Sequence, residues 1–222
     1  AVAIWIALTW VSSRGKFMFL DNLVHNRALV SDPWTRFKTL ANSLCLWRLA
    51  FSLVVFLLVV PVIILTIFLF AGIQGGREIM IPGLVGGGLA LFVIVLAAAY
   101  IGVLLEDFVI PTMYRRNILV NAAWKEFLAL HSQSLGSFLL YVLWRILLSI
   151  LIGIVVLTLG FATCCIGFFI MAIPYLGTVL LLPVSVFMRL LGPEFLRQVG
   201  PDHDILTTRD QLWQNRLAPP VL

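Results

Sequence analysis

Residues 106 to 117, EDFVIPTMYRRN, set Glu106 beside Asp107 directly after a long apolar run and bring Arg115 and Arg116 in behind them. Carboxylates at a membrane boundary could relay protons or hold a cation. The same side chains equally suit ion pairs at a cytoplasmic rim, where a chain leaves the bilayer, and the pattern favours that reading. Pro111 lies between the two charged groups and is expected to end or kink the helix, since it removes one backbone donor and crowds the preceding turn.

The other reactive residue types are sparse. His25, His131 and His203 could each ligate a metal or haem-type pigment, but all stand in polar segments, and no cysteine or carboxylate joins them at ligand spacing. Cys45, Cys164 and Cys165 make no even framework, and adjacent cysteines rarely bridge to each other. They read as small apolar residues, with acylation or an external thiol role for the 164/165 pair as the alternative. No HExxH, GxSxG, paired-Cys or Ser/His/Asp pattern occurs, and GLVGGGLA (83 to 90) lacks the Lys-Ser/Thr of a phosphate loop. No catalytic, metal or cofactor set is expected, and the chain reads as non-enzymatic.

The elements that carry these residues are dictated by composition. Of 222 residues 62% are hydrophobic and 11% charged, with a mean hydropathy of +1.09; a soluble domain is nearer half apolar and a quarter charged. Residues 49 to 72 and 84 to 105 are uncharged runs long enough to span a bilayer. Residues 146 to 188 are 43 without a charge, too many for one crossing. The small residues near Gly160 to Gly167 are the expected turn, giving helices near 146 to 162 and 166 to 188. AVAIWIALTWV at the front reads as the end of a helix that begins outside this sequence; it has no signal-peptide pattern. The fold class is an all-α polytopic transmembrane bundle.

Net charge is +5, and all fifteen Lys and Arg lie outside the spans, fourteen on one side and Arg77 alone on the other. The positive-inside rule makes the basic segments cytoplasmic and the chain a multi-pass protein of a bacterial inner membrane. Cations on membrane-flanking segments suit anionic lipid headgroups, and nothing in the chain resembles a nucleic-acid module.

Spacing adds an internal repeat. VSDPWTRFKTL (30 to 40) aligns with VNAAWKEFLAL (120 to 130) at an offset of 90, and LWRLAFSLVV (46 to 55) with LWRILLSILI (143 to 152) at 97. The added seven residues are nearly two helical turns, which lengthens a helix while almost keeping its face. PTMYR (111 to 115) and PEFLR (193 to 197) suggest a third, partial copy. Because each unit holds two spans, the copies are parallel repeats: about 1–73, about 84–163 and, in part, about 166–200, with 201–222 as a cytoplasmic tail. In SDPWTRFKTLANSLCLWR, Ser31 or Asp32 can cap a helix and Pro33 suits its first turn. Apolar residues then recur every three or four positions, predicting an in-plane amphipathic helix. Trp34, Arg36, Lys38, Trp47 and Arg48, and in the second copy Trp124, Lys125, Trp144 and Arg145, are the expected lipid-interface residues.

At LLEDFVIPTMYRR, FLLYVLWRILL and FMRLLGPEFLRQVGP the chain resembles a group of uncharacterised bacterial multi-pass membrane proteins, distantly similar to the membrane domain fused to some glycerophosphodiester phosphodiesterases. That resemblance implies fold and location; the phosphodiesterase domain is absent, so no catalytic residue carries over. The function expected is an accessory or scaffold subunit of a larger membrane assembly, or a lipid-organising module, with membrane lipids and other membrane subunits or copies of itself as partners. A carrier or channel for a lipid or other apolar molecule is the alternative.

Overall fold

A computed structural model describes residues 2–25, 30–72, 77–163 and 173–199. Every regular element among them is helical. Cys164, Cys165, His203, the tail, and most of the expected turn after Gly160 lie outside the described residues, as does the start of the fourth expected span. The chain divides into two compact units, at Ala123 and Trp124.

In the first unit α1 (Val2–His25) is followed by the short α2 (Ser31–Arg36), α3 (Lys38–Gly72) and α4 (Arg77–Leu104). A π turn, Leu105–Val109, leads into α5 (Ile110–Arg116). α3 packs along α4 and against α1, and α1 also meets α2 and α5. Three helical stretches are long and apolar enough to cross a membrane: Lys38–Phe68, Gly83–Arg116 and, in the second unit, Leu135–Ala162. The chain is thus a membrane protein with three such helices among its described residues.

Two expectations are corrected. The segment from Ser31 to Arg48 does not form one helix separate from the span. The break falls at Phe37, and Lys38 runs unbroken into the apolar stretch. No glycine or proline occurs between Lys38 and Val60, so the strongest helix breakers are absent there. Nor does Pro111, expected to end or kink its helix, end it. It stands in the first turn of α5, just after the π turn, in which the Ile110 N–H donates to the Leu105 carbonyl. The wider turn accommodates a residue with no donor. The chain leaves the helix at Asn117, whose φ of 54° is left-handed, a conformation asparagine tolerates better than most residues.

Packing is concentrated at one end of this unit. On α1, Phe17, Leu20 and Val24 are buried, and on α3, Leu40, Ala41, Leu44 and Cys45. Both sets recur at three- and four-residue steps and so form single faces. Leu104, Leu105 and every residue from Asp107 to Met113 are buried as well, enclosing the π turn. Farther along the spans the helices are bare, with Phe56 61% and Phe92 63% exposed.

The second unit contains the end of α6 (Val120–Gln133), α7 (Leu135–Ala162), α8 (Pro174–Leu180) and α9 (Leu182–Val199). An aromatic cluster holds it together: Phe138 meets Phe127 edge-on and Phe195 at 5.4 Å between centroids, and Tyr141 lies 4.8 Å from Phe195. Buried Leu196 joins this core.

Candidate functional site

The first unit gathers polar groups at its packed end, where they occupy three neighbouring places. The first is a shallow cleft of about 250 Å³ between Trp5, Thr9, Trp47, Arg48, Ser52 and Glu106. It brings together three residues singled out from the sequence, Trp47, Arg48 and Glu106. Trp47 stacks on Phe51 at 5.1 Å, and Arg48 donates from Nη1 to the Ser12 hydroxyl at 3.4 Å. Glu106 forms an ion pair with Lys16, a residue 90 positions earlier. The cleft hydroxyls are occupied by their own helices: Thr9 donates to the Trp5 carbonyl and Ser52 to that of Leu49, each at 2.9 Å. Neither is arranged as a base-activated nucleophile, for which the hydroxyl must donate to a base.

The second place is a buried carboxyl. Asp21 is fully enclosed, accepts a hydrogen bond from the Tyr114 hydroxyl at 3.0 Å, and has His25 Nδ1 at 3.3 Å from its Oδ1. That same Nδ1 lies 3.0 Å from the Asp21 carbonyl oxygen, which can only accept, so the nitrogen carries the proton. A carboxyl removed from water needs such partners. The arrangement ties α1 to α5, and Phe37 bridges them, stacking on Phe17 and meeting Tyr114 at a tilt. Asp107 is also buried, whereas Arg115 and Arg116 stand exposed at the end of α5.

The third is an aromatic holder for Arg14. Its guanidinium carbon lies 4.1 Å from the Trp10 ring centre and 4.9 Å from that of Trp34, and the two indoles meet edge to face. Trp10 donates its indole N–H to Asn42 at 3.2 Å. Of the remaining first-copy interface residues, Arg36 lies over Phe37 and Lys38 is exposed.

In the second unit, Trp124 packs edge-on against Phe127 while Lys125 and Trp144 are exposed. Arg145, expected at the lipid interface, donates to the Met188 carbonyl at 2.9 Å and ties α7 to α9. His131 packs on Phe127 and Phe138, and its burial pushes the imidazole pKa below the ordinary value.

Sequence reasoning missed Trp10, Arg14, Lys16, Asp21 and Tyr114. Asp21 and His25 were readable as an i,i+4 pair on one helix face; the pairings across 90 or more residues had no local signal. Among the described residues no group of three or more His, Cys, Asp or Glu side chains comes together to hold a metal ion.

Residues 1–199 match the model of a family of unknown function, DUF7544, and the chain belongs to that family. No curated protein and no solved structure matches it.

Proposed function

We propose that this member of the family is a non-enzymatic protein of the bacterial cytoplasmic membrane, acting as an accessory or scaffold subunit of a larger membrane assembly and ordering lipid around itself. One observation carries the reading. In the most apolar window of each candidate span, only 0%, 11% and 6% of residues are buried inside the chain. A helix so bare is covered by acyl chains or by helices of another protein, and the long apolar flanks suit either.

The parallel repeat belongs to the same proposal and draws support from helix boundaries. α2 and α6 begin at Ser31 and Val120, and their breaks fall at Phe37 and Ser134, a shift of 97 as in the second aligned pair. The additional residues lengthen α6. Phe37 and Phe127 are both buried beside a half-buried tryptophan, Trp34 and Trp124, as repeated interfacial helices would place them. Orientation, with the basic segments cytoplasmic, rests on the charge bias, and a distant relation to the membrane domain of some glycerophosphodiester phosphodiesterases, read from the sequence alone, is part of the same proposal.

A carrier for a lipid or other apolar molecule is the second reading, favoured by an apolar groove of about 590 Å³ between α1 and α3. A photoreactive residue at Phe56, Phe92 or Leu96, activated in native membranes, tests the choice. Scaffold function predicts a discrete cross-link to one protein species from at least one of these sites. Lipid-only adducts at all three, together with protein-dependent movement of labelled lipid between leaflets, would overturn it in favour of the carrier.

A further inference from the structure

Arg14 exposes 8% of its surface, yet its buried Nε–H has no acceptor, and no carboxylate pairs with the side chain among the described residues. Burying a cation is costly unless something compensates it. Two indole faces supply part of that compensation through their ring quadrupoles. Among the described residues they leave the hydrogen-bonding edge of the guanidinium without an anion, and this edge is the part that recognises phosphate oxygens in a forked geometry.

The cation stands beside the apolar groove between α1 and α3. Ile6, Ala7, Leu46 and Leu49 line it together with Trp10 and Asn42; Arg14 is not itself a lining residue. The groove volume of about 590 Å³ lies within the range of small-molecule sites, about 300–1,000 Å³. Trp10 is shared by both features: it lines the groove, and its ring face carries the Arg14 guanidinium. An apolar groove with a caged cation one indole ring away from it, in a chain with membrane-length apolar helices, matches one chemical class. That class is an amphiphile with a hydrocarbon chain and an anionic head.

We propose that the α1/α3 groove binds an anionic glycerophospholipid, one acyl chain lying along Ile6, Ala7, Leu46 and Leu49 and the phosphate meeting Arg14 beside Trp10. The inference rests on the chain lying in a membrane and is independent of whether it serves as a scaffold. Tryptophans at such a site hold the cation at headgroup depth, so the lipid is selected by charge at one end and by shape at the other.

The test is native mass spectrometry of the delipidated full-length protein in mild detergent, titrated with phosphatidylglycerol or with the diacylglycerol of the same acyl chains, which lacks the phosphate. One phosphatidylglycerol should bind about tenfold more tightly than the diacylglycerol, the worth of a charge-assisted contact. Arg14→Gln should abolish that preference, while Arg197→Gln, at an exposed cation of the second unit, should leave it intact. Ala7→Phe fills the groove without touching Arg14 and should weaken both lipids; it also serves if Arg14→Gln fails to fold. Equal affinity for the two lipids in the wild type overturns the proposal, as does phosphatidylglycerol binding unaffected by Ala7→Phe. Displacement of the lipid by millimolar inorganic phosphate would also overturn it, by showing a simple anion site. Photo-cross-linking to a partner is unaffected by Arg14→Gln if the two roles are separate, so failure here does not bear on the scaffold reading.

Discussion

Replacing Gly87 by alanine should loosen the contact between α3 and α4, while the same change at Gly86 or Gly88 should not. A Cβ built on Gly87 would lie 2.2 Å from Thr66 Oγ1, 3.0 Å from its Cγ2 and 3.1 Å from its Cβ; at Gly86 and Gly88 it would meet nothing within 4 Å. Ordinary contact begins at 3.4 Å, so the clash exceeds 1 Å. Thr66 has little room to yield. It is β-branched, so rotation tends to exchange one branch for the other, and its hydroxyl donates to the Val62 carbonyl at 2.7 Å. Overpacking of this kind costs about 1–3 kcal/mol, whereas alanine in place of an open helical glycine gains up to about 1 kcal/mol. The variants should therefore separate by about 2–4 kcal/mol, which for a chain of this size is a difference of several degrees in melting temperature. Thermal unfolding of the full chain in mild detergent, followed by tryptophan fluorescence, measures it. Adding Thr66→Ala removes the two closest atoms and should recover about 1–2 kcal/mol of the Gly87→Ala loss in a double-mutant cycle. Three glycine variants melting together, or a cycle with no coupling, would refute the close approach of these helices.

The remaining predictions concern the packed end and the second unit. Phe108→Ala, at a fully buried position, should cost about 3–5 kcal/mol, while Phe92→Ala, 63% exposed, should alter the melting temperature little in the same detergent assay. Tyr114→Phe removes a donor to enclosed Asp21 and should cost about 1–3 kcal/mol. Glu106→Gln, which breaks the partly exposed pair with Lys16, should cost less than about 1 kcal/mol. His131 has a folded pKa below its unfolded value, so the unfolded chain takes up its proton first as pH falls. Stability should decline from about pH 6.5 downward until the folded pKa is passed. Hydrogen exchange of α6 between pH 7.5 and 5 reports this, and His131→Phe should flatten the response; an unchanged profile in the variant would place its origin elsewhere.

How far the sequence could be read differed between spans and site. The uncharged runs from residues 49 and 84 located α3 and α4 closely at their apolar ends, because hydropathy signals hydrocarbon directly. It signals nothing about where a helix continues into polar residues, so the eleven residues from Lys38 to Arg48 were assigned to another element. α7 likewise begins at Leu135, well before the uncharged run at Ile146. At the site, Glu106 was noticed for its position at the end of a span, but its partner Lys16 and the partner of Asp21, Tyr114, come from distant parts of the chain. Arg145 was singled out as interfacial beside Trp144, and its tie to the Met188 carbonyl on α9 had no signal in its neighbours in sequence.

The uneven packing has a single physical origin. Within hydrocarbon, burying an apolar side chain against another gains little, since acyl chains are equally apolar, and helices associate there through close fit. The Gly87–Thr66 approach is such a fit in the bare part of the α3/α4 pair. Where water is within reach the hydrophobic effect operates again, which suits the burial of Phe17, Phe37, Leu44, Phe108 and Met113 at the unit's packed end. That packing encloses the π turn and positions Asp21, Tyr114, Lys16 and Glu106 around it. A rigid polar end carrying bare helices leaves the spans free to take their neighbours from the membrane, which is the property a scaffold or lipid-organising subunit requires.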